Sequence, residues 1–194
     1  TAAQQTETWS IIQEAARQWI TTCTDQEQGW VPRRGRESWL GLMREVESLR
    51  RAAVFGRSHA LMTLSEGGAQ ATRNVRDVVY RTAASKAVMR AGRHYVQFTV
   101  VSDKFMFFGV IRPGWDVEGG TNAQRVDGHC FYRTFYGTCV PGGHDWDGRA
   151  GAKEGDRIGL LVDMGLEEGS LTVFKNDELL GVMQSSGLTG QMNW

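Results

Sequence analysis

Long apolar runs are absent from this chain of 194 residues. The longest, Phe105 to Ile111, is broken by Gly109 and closed by Arg112-Pro113; a bilayer-spanning helix needs roughly 20 apolar residues, so no transmembrane role is expected. Cysteine is scarce. Cys23, Cys130 and Cys139 make an odd count without CxxC spacing, which indicates neither a disulfide framework nor a standard zinc ribbon and fits a reducing compartment. No basic n-region followed by an apolar h-region opens the chain, so no signal peptide is legible, and the expected location is intracellular, in the cytoplasm. Net charge is missing too: with 22 basic and 22 acidic side chains, bulk electrostatics favours neither nucleic acid nor an acidic membrane surface as partner. Signatures of catalysis are lacking, since there is no G-x-S-x-G elbow, phosphate loop, dinucleotide fingerprint or HExxH, and an enzyme is not expected.

What is present is an ordinary globular balance, 41% hydrophobic and 23% charged. Residues 1–52 follow a helical period. Trp9, Ile12, Ala16, Trp19, Ile20 and Cys23 recur at steps of three and four, giving one stripe of a helix that Thr6 can cap, and Trp39, Leu42, Met43, Val46 and Leu49 form a second stripe. Between them, Gln26 to Gly35 has turn composition. Residues 53–194 change to a strand period, with segments such as Ala60–Leu64, His94–Val101, Phe105–Ile111, His129–Tyr136, Arg157–Asp163, Ser170–Phe174 and Glu178–Met183 bounded by Gly, Asp, Asn or Pro. Leu166–Gly169 and Asn176-Asp177 read as hairpin turns, Asn and Asp tolerating the positive φ of a tight turn. Alternation assigns His94, Val96, Phe98 and Val100 to the core side. The expected architecture is mainly β: an antiparallel sandwich preceded by two amphipathic helices.

Four segments carry a more specific pattern: RAGRHYVQFTV at Arg90–Val100, FMFFGVIRPGWDV at Phe105–Val117, EGDRIGLLVDM at Glu154–Met164 and GSLTVFKNDELLGVM at Gly169–Met183. In order and spacing these closely resemble the SPRY domain family, over about residues 56–190. The resemblance implies a bent sandwich of two antiparallel sheets that serves eukaryotic proteins as a non-catalytic protein-interaction module, with specificity in variable loops at one end. Family members usually continue for another strand or two past the segment matching Gly187–Trp194, so either the sandwich lacks its last strand here or another segment supplies it. Trp39–Leu49 faintly resembles the end of an F-box, which implies a substrate adaptor in ubiquitin ligation. On the plainer reading both helices cover apolar surface of the sandwich, with Trp9, Trp19 and Trp39 as anchors.

The binding candidates come from three segments. In Arg112–Gly120, Trp115 offers an aromatic anchor beside Asp116, with a structural plug as the equal alternative for Trp115. In His129–Gly137, alternation puts Cys130, Tyr132, Thr134 and Tyr136 on one face and Phe131, Arg133 and Phe135 on the other. The corresponding SPRY strand borders the ligand surface, so Tyr132, Arg133 and Tyr136 are contact candidates, Arg133 being able to take a carboxylate in bidentate fashion, whereas the Phe residues fit the sheet interface better. In Pro141–Gly148, His144 and Trp146 complete the set, with Trp146 and Trp115 lining one recess under an acidic rim of Asp116, Asp145 and Asp147. His129, Cys130, Cys139 and His144 do not make a metal site, because adjacent strand residues point to opposite faces; no metal or cofactor is expected. The basic excess at Arg73, Arg76, Arg81, Lys86, Arg90 and Arg93 reads as a solvated face. The function these readings favour is recognition of a short peptide segment of another protein by a non-catalytic adaptor, with no catalytic residues and no nucleic-acid or membrane partner. Two alternatives stand beside it: a structural subunit docking through its N-terminal helices, and a carbohydrate-binding sandwich.

Overall fold

The computed structural model describes residues 10–33, 35, 37–74, 79–102, 105–119, 128–140, 146, 148, 150–165, 169–184 and 188–194. The chain divides into two compact units, Thr1–Arg51 and Ala52–Trp194.

Among the described residues of the first unit there are three helices, not two: α1 (Ile11–Thr21), α2 (Asp25–Trp30) and α3 (Trp39–Leu49). Thr6 and Trp9 lie outside the described residues, and the cap of α1 is Ser10, whose Oγ accepts the Gln13 N–H at 3.3 Å. The stretch expected to be a loop contains α2, because Thr24 and Glu27 make a reciprocal capping box: Oγ1 of Thr24 accepts the Glu27 N–H at 3.2 Å and the Glu27 carboxylate accepts the Thr24 N–H at 2.9 Å. Helices α1 and α3 pack on each other, burying Ala16 and Ile20 from one and Leu42, Val46 and Leu49 from the other. Arg50 ties the end of α3 to α2 through Glu27 at 2.7 Å while lying over the Trp19 ring at 4.9 Å; the same contact holds the Glu27 carboxyl below its usual range.

In the second unit eleven strands are described. A four-stranded antiparallel sheet has the order β11-β10-β9-β5, from β5 (Arg93–Thr99), β9 (Arg157–Asp163), β10 (Ser170–Lys175) and β11 (Glu178–Gln184). A three-stranded sheet has the order β6-β7-β8, from β6 (Phe107–Val110), β7 (Cys130–Arg133) and β8 (Thr138–Val140). Two short ladders complete the set, β1 (Phe55–Ser58) with β4 (Ala83–Ser85) and β2 (Met62–Ser65) with β3 (Gln70–Arg73). The two larger sheets face each other across one core: Val96, Ile158, Leu160, Val162, Leu171 and Val173 from the first meet Val110, Cys130, Tyr132 and Cys139 from the second. The fold is therefore mainly β, an antiparallel sandwich with helices before it in sequence. Alternation sets the faces from Val96 onward as the pattern predicts, with Val96 and Val100 buried, Phe98 packed against the core and Gln97, Thr99 and Val101 exposed, whereas His94, expected on the core side, is half-buried like Tyr95 and lies outside the core cluster.

Local chemistry explains the turns. Asn176 and Asp177 take φ of 51° and 72° between β10 and β11, the left-handed pair of a tight hairpin. Asn176 also accepts the Arg157 N–H at 2.9 Å and donates to Asp156 at 2.9 Å. The segment expected as one strand, His129–Tyr136, is instead β7 followed by a turn: the Gly137 N–H donates to the Arg133 carbonyl at 3.0 Å and Gly137 takes φ of 63°, so the chain reverses into β8. Residues 189–194 are threaded between distant segments. Met192 bridges Met89, Asn193 bridges Ile111, and the Trp194 N–H donates to Ser85 Oγ at 3.0 Å. Arg93, expected on a solvated face, is a buried partner of Asp163 at 3.3 Å; Arg76 lies outside the described residues.

Candidate functional site

Strand β7 has two faces, and they do different work. Its even side enters the core. Tyr132 is fully buried, and its hydroxyl donates to the Ala150 carbonyl at 2.5 Å; burial pushes the phenol above its ordinary range. Trp146 lies edge-on to Tyr132 with ring centroids 6.1 Å apart and donates from Nε1 to the Gly137 carbonyl at 2.8 Å. Both side chains, read from sequence as surface contacts, are core members with satisfied polar atoms, so neither presents area to a partner. Cys130, on the same side, is likewise buried and its thiol shifted upward by desolvation.

The odd side carries a line of rings. Trp115 meets His129 edge-on at 5.1 Å, His129 meets Phe131 at 6.0 Å, and Phe131 meets Phe107 at 6.3 Å. Ala84 and Ile111 are buried with Phe131 in this second cluster, and Trp115 packs against it. Trp115 and Trp146 therefore lie on opposite sides of the same strand and do not line one recess. The loop around Trp115 is latched by the main chain: Arg57 donates to the Trp115 carbonyl at 2.9 Å, Arg112 donates to the Thr189 carbonyl, and Asp116 accepts the Glu118 N–H at 3.0 Å. Asp116 is exposed and Arg112 and Trp115 are half-buried. His144, Asp145 and Asp147 lie outside the described residues.

Register separates the candidates further. Phe107 pairs with Arg133 and Val110 with Cys130, so the Arg112–Gly119 loop leaves one end of the β6–β7 pair and the Thr134–Gly137 turn leaves the other. The candidate loops are not gathered at a single end. At the Arg133 end stands an aromatic cluster that the sequence pattern assigned in part to the sheet interface. Phe105, Phe135 and Tyr136 are 50%, 52% and 51% exposed, with Phe105 and Phe135 centroids 4.4 Å apart and Phe135 and Tyr136 4.5 Å apart. The Arg133 guanidinium lies 4.9 Å from the Tyr136 centroid and 5.6 Å from those of Phe105 and Phe107. Tyr80, also exposed, stands edge-on to Phe107 at 5.2 Å. Sequence reasoning reached Arg133 and Tyr136 but missed Phe105 and Phe135; Gly137, the turn marker that swings Phe135 outward, was the available signal.

The turn that presents these rings is braced from behind. Ala152 N–H donates to the Thr134 carbonyl at 2.7 Å, and Lys175 donates to the Gly151 carbonyl at 2.8 Å while facing Asp156 at 3.2 Å. Large rings held half in water by a rigid support are the composition of interface anchors. Among the described residues no helix is long and apolar enough to cross a membrane.

No family model matches the chain, and no curated protein does. Among solved structures it is similar to the SPRY domain of human HERC1, with 16% identity over 57% of this chain and 69% of that one and a TM-score of 0.45.

Proposed function

We propose that this protein is a non-catalytic protein-recognition module, a SPRY-like sandwich that binds a short segment of a partner protein. The observation that carries the reading is the exposed cluster of Phe105, Phe135 and Tyr136 around Arg133. The sandwich supplies a rigid support, so the rings lose little freedom on binding, and the resemblance of the four sequence segments to SPRY domains supports the same class of function. Within this reading Arg133 and Tyr136 remain contacts from the sequence set, Phe105 and Phe135 join them, and Arg112, Trp115 and Asp116 form a separate surface at the other end of the β6–β7 pair.

The test is a pull-down from the native source with wild type, a Phe135→Ala/Tyr136→Ala variant and a control, Leu179→Ser, at an exposed position of β11. Capture by wild type and control but not by the double variant, with thermal melts alike, supports the reading. Capture of the same proteins by all three refutes it. One observation favours a second reading, docking through the helical unit: Ile11 and Ile12 at the start of α1 are 90% and 62% exposed. In that case Ile11→Ser/Ile12→Ser abolishes capture and the ring variant does not.

A further inference from the structure

We propose that the partner segment is acidic, one of its carboxylates pairing with Arg133 while a neighbouring apolar side chain lies on Phe105, Phe135 and Tyr136. This rests on the recognition reading above. Three other arginines of the sandwich have oxygen acceptors: Arg93 has Asp163 at 3.3 Å, Arg57 the Trp115 carbonyl at 2.9 Å, and Arg157 the Asp177 carboxylate. Arg133 has rings. Its Nε is buried with no hydrogen-bond partner, and its guanidinium makes no ion pair with any described residue. Ring faces attract the cation but accept none of its N–H groups in the plane of the fork, so the donors that matter for a carboxylate are left unused. Packing among Tyr136, Phe105 and Phe107 also restricts the guanidinium in advance, and a fork already confined takes a carboxylate at low ordering cost.

The anion is a peptide carboxylate rather than a nucleic-acid backbone. A phosphate track needs several cations along its length, whereas the described cation packed among these rings is Arg133 and the chain carries no net charge. The rings, moreover, lie against one another instead of standing apart as successive base platforms: Phe105 and Phe135 are inclined at 32° with centroids 4.4 Å apart.

The test is fluorescence anisotropy on the full chain with short synthetic peptides, each carrying one Trp flanked by Glu, Ser or Lys, and with a labelled single-stranded oligonucleotide. The Glu peptide is expected to bind about tenfold or more tighter than the Ser peptide, as a charge-assisted bidentate pair implies. Arg133→Gln removes that preference, and Arg133→Glu transfers it to the Lys peptide; the gain by the reversed variant rules out simple unfolding. If all three peptides bind alike and lose binding together in Phe135→Ala/Tyr136→Ala, the acidic preference is overturned while the recognition reading survives. If no peptide binds, or the oligonucleotide binds in preference, the proposal is overturned outright, and the pull-down decides separately whether the recognition reading falls with it.

Discussion

Replacing Asp156 by Asn probes the brace behind the exposed rings. This carboxylate is buried: its Oδ1 accepts from Asn176 at 2.9 Å, and its Oδ2 accepts the Lys153 N–H at 2.9 Å and faces Lys175 Nζ at 3.2 Å. These partners, Asn176 first, hold the carboxyl at about 2 against an ordinary 3.8. Since a tenfold difference in acidity corresponds to about 1.4 kcal/mol, the gap contributes about 2 kcal/mol of folding stability at neutral pH. The folded group is the stronger acid, so this stability is present above about pH 4 and drains away as the pH falls towards about 2, with roughly half remaining at about pH 3. Asn preserves the shape and discards the charge. Urea unfolding is therefore expected to show Asp156→Asn less stable than wild type by about 2 kcal/mol near neutral pH and by about 1 kcal/mol near pH 3. An equal difference at the two pH values, or none at neutral pH, refutes the account of the network as a charge-dependent brace.

Two further outcomes follow from packing and from helix capping. A Cβ on Gly109 would lie 1.9 Å from the Cys130 carbonyl oxygen and 2.7 Å from the Phe131 Cα, both backbone atoms that cannot swing aside. Gly109→Ala is thus expected to cost about 3 kcal/mol and to lower the thermal midpoint by roughly 6–12 °C; an unchanged melt disproves the close approach of β6 and β7. Thr24→Ala removes one half of the capping box on α2 and should cost about 1 kcal/mol, read as reduced helical circular dichroism and a lower urea midpoint.

Much of the fold was legible because its rules are local. Stripes at steps of three and four mark α1 and α3, and the bounds of β9 coincide with the expected Arg157–Asp163. Asn-Asp between two alternating runs marks the β10–β11 turn. Of the two small ladders only β2 was legible, overlapping the expected Ala60–Leu64; FGRS, QATR and AAS offer no apolar alternation, and α2 was hidden by the Gly and Pro around it although Thr24 and Glu27 spell its cap. The site was legible only in part for a different reason. Thr-Phe-Tyr after Arg133 has strong strand preference, and the hydrogen bond from Gly137 back to Arg133, with the positive φ of Gly137, closes a turn there that carries Phe135 and Tyr136 outward. Tyr132 and Trp146 look like surface aromatics in sequence because the carbonyls that satisfy them, those of Ala150 and Gly137, are brought to them by tertiary structure.

The threading of residues 192–194 bears on how the sandwich comes into being. Ser85 and Trp194, hydrogen-bonded through Ser85 Oγ, are 109 positions apart, and Asn193 donates to the Ser85 and Ala87 carbonyls while its backbone bridges Ile111. During synthesis on the ribosome the β4 and β6 segments emerge long before these partners, at roughly 5–20 residues per second. Their open hydrogen-bonding groups must wait for several seconds on that scale, a window in which a chaperone or a strand of another nascent chain can occupy the place.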